Sequence, residues 1–282
     1  MSPTHARIGA TDDLERVVGA LARWQQPGAP FQLHPGDIGW HWRLGGQATA
    51  EALWLWEADD ELVAVGFRDG PTLMRLALAH RAMGDATLAQ RIIADLEGSS
   101  IRSVEAPQTS ALFGALVKAG WERGESWTPL ERDLSAPVET PQLEIVVVDH
   151  TTAPLRVAVQ RAAFEGSTFT VEKWQQMASG TPYASARCLL GVDAGGIAVA
   201  AATVWSAGDG RYGLIEPLGV HEAHRGKGYG KAITLACAAA LRELGSSVAL
   251  VATPTVNLGG VATYASAGFV ARSAVHDLTY PG

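Results

Sequence analysis

An apolar run from Leu214 to Val220 gives way to a glycine-rich segment, and a helix-period run from Ala232 to Leu244 begins where that segment ends. The segment reads Gly219-Val-His-Glu-Ala-His-Arg-Gly-Lys-Gly-Tyr-Gly-Lys231, with Gly226, Gly228 and Gly230 at alternate positions among Arg225, Lys227 and Lys231. Glycine lets a backbone turn sharply and approach a ligand closely. A helix start presents unpaired N–H groups at the positive end of its dipole. Strand, glycine turn and helix with nearby cations therefore predict a site for a phosphate-bearing ligand. Two common phosphate loops fit poorly. A nucleoside-triphosphate loop needs Gly, four residues, Gly-Lys and then Ser or Thr, but Gly226 is one residue too close to Gly230 and Ala232 replaces the hydroxyl. A dinucleotide fingerprint belongs to a parallel strand–helix–strand unit, whereas the strands before this loop read as hairpins.

The rest of the chain reads twice through one plan. Residues 11–24 form a helix with acidic residues in the first turn and Leu14, Val17, Val18 and Leu21 along one stripe. Residues 25–47, rich in Pro and Gly, read as irregular. Strands follow at 52–57, 62–67 and 72–79, then a helix at 87–96, a strand at 101–106, a helix at 110–119 stopped by Gly120, and an extended stretch at 121–134. A stretch around Pro137 and Pro141 lacks apolar periodicity and reads as a linker. Beyond it come a strand at 143–149, helices at 154–164 and 171–178, and strands at 187–192, 197–205 and 212–220. The glycine loop, a helix to 244, a strand at 247–252, a helix at 258–267 and an extended end at 269–279 complete the order. His80–Ala86 aligns with His224–Gly230, and Lys118–Trp121 with Ser266–Phe269. A duplicated chain is expected: one domain over 1–136, a linker over 137–142, and a second domain over 143–282.

Composition narrows the function classes. The 282 residues are 47% hydrophobic and 18% charged, as a core-forming protein requires. A net charge of -7 argues against general nucleic-acid affinity. Cys188 and Cys237 show no metal or redox spacing, so no metal is expected. No apolar run approaches the roughly 20 residues of a membrane span, and the first residues lack a signal-peptide core. The expectation is a cytoplasmic protein with no membrane or nucleic-acid partner, a homodimer being left open.

With these residues quoted, the C-terminal half resembles the GNAT superfamily of N-acetyltransferases. The family signature, Arg or Gln, two residues, Gly, one residue, Gly or Ala, reads here Arg225-Gly-Lys-Gly228-Tyr-Gly230. A second family element, Asn, a Tyr seven residues on, then Gly-Phe, reads Asn257…Tyr264…Gly268-Phe269. The resemblance covers residues 143–282 well and 40–134 in outline, so the chain resembles a tandem GNAT protein of α+β class. Each domain would be a mixed, mostly antiparallel sheet flanked by helices.

The resemblance implies that acetyl-CoA is the co-substrate and a small-molecule or peptide primary amine the acceptor, with direct attack in a ternary complex. Leu218, Gly219 and Val220 would meet the pantetheine arm by backbone groups. Arg225, Gly226, Lys227, Gly228, Tyr229, Gly230 and Lys231 would hold the pyrophosphate, and Asn257 would bond the arm or cap its helix. Tyr264 occupies the family's general-acid position, and Glu216 is the candidate base, acting through water because an amine near pKa 10.4 must lose a proton. The loop holding Glu165, Phe169 and Trp174 would contact the acceptor. A different class, a non-catalytic acyl-CoA sensor or partner-binding module on the same scaffold, is the alternative. The first half departs from the pattern. Arg81-Ala-Met-Gly84-Asp-Ala86 has one glycine, Asp85 sets a carboxylate where a pyrophosphate would lie, and Leu116 replaces the tyrosine. That half is expected to bind acetyl-CoA poorly.

Overall fold

The computed structural model describes residues 5–280. By its contacts the chain falls into two compact units, each assembled from segments distant in sequence. The first takes the chain up to Pro35, Gly46–Trp127 and everything from Ala274 on; the second takes Gly36–Gly45 and Thr128–Ser273.

In the first unit, β1 (Arg7–Ile8) and α1 (Leu14–Trp24) are followed by α3 (Gly46–Glu51), while α2 (Pro35–His41) belongs almost wholly to the second unit. Strands β2 (Leu53–Ala58), β3 (Glu61–Arg68) and β4 (Leu73–Leu78) pair antiparallel, and β5 (Ser103–Glu105) lies parallel to β4. Helices α4 (Ala86–Glu97) and α5 (Ala111–Lys118) supply Leu88, Ile92, Leu112 and Leu116 to a core shared with Trp56, Met74 and Val104. Strand β6 (Glu122–Asp133) spans the boundary: its first half is in this unit and its second half in the other.

In the second unit β7 (Glu144–Val147), β8 (Ala186–Val192), β9 (Ala198–Ser206) and β10 (Tyr212–Val220) form an antiparallel run. Strand β11 (Val248–Pro254) is parallel to β10 and lies beside the second half of β6, which also pairs with β12 (Val270–Ala271). Side chains alternate across a strand. Ala201, Trp205 and Leu214 accordingly join a core under α6 (Ala153–Ala163) and α7 (Val171–Ala178). Ala200, Ala202, Val204 and Ile215 join the opposite core under α8 (Tyr229–Glu243) and α9 (Leu258–Ser266). Burial of both faces explains why β9 reads as a nearly unbroken apolar run.

Two parts of the chain differ from the sequence reading. The stretch 25–47, read as irregular, contains α2, a 3-10 turn at Trp42–Leu44 and the start of α3. Pro35 suits a first helical position, where its missing N–H costs nothing. Gly36 and Gly39 lie flat on the Trp205 ring, where a Cβ on Gly36 would sit 2.7 Å from ring carbons. Packing on an aromatic face thus outweighs the poor helix propensity of glycine. The terminal extended stretch is also divided. After β12 the chain leaves the second unit, and β13 (Val275–Thr279) pairs antiparallel with β5 and with the first half of β6 in the first unit. Among the described residues, no helix is long and apolar enough to cross a membrane.

Candidate active site

Parallel pairing between β10 and β11 covers only Tyr212 to Leu214, opposite Val248 to Leu250. Beyond that point β10 runs to Val220 and β11 to Pro254 without pairing, so the two strands part. On its other side β10 keeps β9 as a partner but shifts register between Ile215 and Leu218. Glu216 and Pro217 occupy the irregularity, as expected where proline removes a ladder donor. Leu218, Gly219 and Val220 pair with Ala202, Ala201 and Ala200, and the edge they turn toward β11 lies open. Gly219 also packs tightly against the end of α6, where a Cβ would meet Ala163 at 2.6 Å.

The chain then passes through a 3-10 turn at Glu222–His224 and an extended Arg225 into the glycine loop. Gly226 (φ +78°) and Gly228 (φ +82°) are left-handed, a conformation costly for any side chain, and neither has atoms within 4 Å of where a Cβ would stand. Gly228 is the N-cap of α8 and no side chain caps the helix. Intrahelical bonding begins when the Ala232 N–H donates to the Gly228 carbonyl at 3.1 Å. The N–H groups of Tyr229, Gly230 and Lys231 precede that bond and face outward, which is the geometry that binds an anion. Gly230 has a different task. Its missing Cβ admits the Thr263 methyl, which would be 2.9 Å away, and so brings α8 against α9.

The cations divide. Lys227 and Lys231 are exposed and, among the described residues, make no ion pair within 4 Å. Arg225 instead turns back, its Nη2 donating to the Ala163 carbonyl at 2.8 Å, where it satisfies the C-terminus of α6. Asn257 caps α9: its Oδ1 accepts from the Gly260 N–H at 3.0 Å and its Nδ2 donates to Thr253 Oγ1 at 3.0 Å.

Tyr264 projects from α9 into the core beside Phe269, with only 8% of its surface exposed. Burial pushes its phenol above the ordinary range, and the nearby Cys237 and the Glu216 carboxylate push in the same direction. Both effects keep the proton on oxygen, as an acid needs. Among the described residues its hydroxyl makes no hydrogen bond. Glu216 is half-buried, and its backbone carbonyl accepts from the Trp205 indole at 2.7 Å.

Residues 157–269 match the model of the Acetyltransferase (GNAT) family. This stretch is a GNAT domain. No curated protein shows significant sequence similarity to the chain. Solved structures resemble it over its whole length. A GNAT-family acetyltransferase from Colwellia psychrerythraea is 14% identical, with a TM-score of 0.62 over 99% of both chains. A tandem GNAT protein from the clavulanic acid biosynthesis pathway is 16% identical, with a TM-score of 0.60 over 99% of this chain and 98% of that one. Saccharomyces cerevisiae N-myristoyltransferase with bound myristoyl-CoA is 10% identical, with a TM-score of 0.56 over 99% of this chain and 77% of that one. At such identities the likeness is one of fold.

The α6–α7 face of the GNAT domain holds what sequence reading passed over. Of the three residues expected to meet an acceptor, Glu165 is exposed, whereas Phe169 and Trp174 are buried in the core. Phe169 stacks on Trp40 with ring centres 5.2 Å apart, and Trp40 lies under the Arg43 guanidinium at 4.3 Å. Also over the Phe169 ring, 4.9 Å from its centre, is the guanidinium of Arg156, which is 0% exposed. Arg156 Nη1 donates to Gln160 Oε1 at 2.7 Å and Nε to Cys188 Sγ at 3.2 Å. Nη2 has no partner, and no carboxylate pairs with the group among the described residues. A buried ion left without its counter-charge costs on the order of several kcal/mol. A sequence signal was present: Arg156 sits three residues from both Ala153 and Val159, on the buried stripe of α6, while Leu155 points to solvent.

Proposed function

We propose that the second unit is an acetyl-CoA-dependent N-acetyltransferase that passes the acetyl group directly to a primary amine. The observation that carries this reading is the parting of β10 from β11 immediately before an uncapped helix start. A slot with free backbone groups, ending at outward N–H groups, suits an extended arm attached to a pyrophosphate. Bound there, acetyl-CoA supplies an acetyl group already activated as a thioester. Gly226 to Lys231 hold the pyrophosphate through backbone N–H groups, with Lys227 and Lys231 adding charge. Leu218 to Val220 hold the arm, and backbone N–H groups near Val220 polarise the carbonyl oxygen. Glu216 takes one proton from the ammonium through water, and the freed amine nitrogen attacks the thioester carbonyl. Tyr264 gives its proton to the departing sulfur as the C–S bond breaks, and the second proton lost from nitrogen restores the phenol. Arg225 contributes by fixing the loop to the end of α6, and Asn257 by fixing the start of α9 beneath Tyr264.

The test is release of free thiol from acetyl-CoA across a broad amine panel, alongside calorimetric binding of acetyl-CoA. Turnover with at least one amine is the expected result. Tight binding of CoA with no turnover on any amine would overturn it in favour of a sensor.

A further inference from the structure

The cluster around Arg156 has hydrogen-bond donors in surplus. Arg156 Nη2 and Trp174 Nε1 are both buried and both lack an acceptor. Both act on the Tyr183 phenol: the Trp174 indole N–H is turned toward its oxygen, and the Arg156 charge reaches it. Tyr183 also packs edge-on against Trp174 and Trp205, with ring centres 6.5 and 6.1 Å away. Buried donors without acceptors are rare in folded proteins. Trp174 has the Tyr183 oxygen beside it, so the unmet donor is Arg156 Nη2, and a buried full charge with an unmet donor describes a place short of one acceptor carrying one negative charge.

We infer that Arg156 is the anchor for a carboxylate on the acceptor amine, so that the enzyme takes amines that also carry an acid. The inference rests on the acetyltransferase reading above. Nε is committed to Cys188 and one N–H of Nη1 to Gln160, and both N–H groups of Nη2 are without a partner. One unbalanced positive charge matches a carboxylate better than a doubly charged phosphate. Entry is by way of Phe169, which covers the guanidinium face. Its neighbours Glu165, Gly166 and Thr168 are exposed, and Gly166 is left-handed at φ +72°. The loop is held by the Phe169 ring and by Lys173, whose Nζ donates to the Thr168 carbonyl and hydroxyl at 3.0 Å, so it lifts when the ring leaves and these exposed bonds exchange with water. The Arg43–Trp40–Phe169–Arg156 stack then closes the site over the bound acid and sets the loop that the acceptor meets.

The experiment compares amino acids with their amides as acceptors, which differ only in the carboxylate, in the native chain, Arg156→Met and Arg156→Lys. Thermal melting of each protein with the same compounds is measured in parallel. The native chain should prefer the acids by at least about tenfold in kcat/KM, the fold-change expected for a lost charge-assisted hydrogen bond. The acids should raise its melting temperature while the amides do not. Arg156→Met should lose the preference, its kcat/KM on acids falling to that on amides, and Arg156→Lys should keep part of it. Equal use of acids and amides by the native chain, with no selective melting shift, overturns the inference even if Arg156→Met fails to fold. Turnover without preference removes the carboxylate site and leaves the acetyltransferase standing. A selective melting shift without turnover does the reverse.

Discussion

The two loops that begin α4 and α8 share a signature and differ in one decisive atom group. At α8 the cap is Gly228, left-handed and without a side chain, and the first N–H groups stay open. At α4 the cap is Asp85, whose Oδ1 accepts from the N–H groups of Thr87 at 2.8 Å and Leu88 at 3.0 Å. The first helix therefore carries its own anion. Gly84 is not left-handed, and Arg81 is held in an ion pair with Glu61. Further along, Leu116 is wholly buried in the core where the second unit has Tyr264. One fold thus serves two ends. A carboxylate at the cap makes a stable helix start, and its absence leaves the first N–H groups open at some cost in stability.

Breaking this comparison begins with chemistry. Tyr264→Phe should lower kcat by about 10²- to 10⁴-fold, the usual worth of a positioned acid, and leave acetyl-CoA affinity nearly unchanged by calorimetry. An unaltered kcat would remove Tyr264 from the mechanism. Gly228→Asp would put a carboxylate at the cap position of α8, the position Asp85 holds at α4, and acetyl-CoA binding should weaken by about tenfold or more through loss of charge-assisted bonds. Calorimetry on the native chain should count one site; two equivalent sites would end the contrast between the units. Asp85→Ala should destabilise the first unit by about 0.5–2 kcal/mol, as lost caps do, without creating a second acetyl-CoA site.

The smallest expected effect is a pH dependence confined to the first unit. On β13, partial burial pushes Asp277 up to about 7, with the carboxylates of Glu105 and Glu125 adding to the rise while the Trp127 indole and Arg75 oppose it. Its pKa is higher folded than unfolded, so the folded state binds the extra proton between about pH 4, the ordinary value for Asp, and about 7. Stability from this group is therefore full at the acid end and falls as pH rises through that window. Asp277→Asn should flatten the trend in denaturant titrations. Because the carboxyl is partly exposed, screening keeps the effect modest.

Local chemistry made much of this protein legible. The glycine loop, the order of most strands and helices in each half, and the departure of Asp85 from the glycine pattern follow from turn, cap and periodicity rules that act over a few residues. Tyr264 and Asn257 stand out only through the resemblance to the GNAT element Asn…Tyr…Gly-Phe. Side-chain destinations were less legible. Arg225 was a natural phosphate contact by position, yet its guanidinium satisfies the end of α6. Phe169 and Trp174 were placed at an acceptor surface and lie in the core.

What the sequence determined by itself is the pair of repeated α+β plans and the glycine loop that leaves α8 without a capping side chain, because each depends on neighbours within a turn or a strand. Only the tertiary structure decided which segment joins which unit. It gave α2 to the second unit and β13 to the first, because a glycine face finding Trp205 and a strand finding an edge between β5 and β6 are choices among distant partners. It also decided that Arg156 would be buried without a counter-charge. Spacing placed that residue on the inner stripe of α6, but whether a carboxylate waits there depends on every element that packs around it.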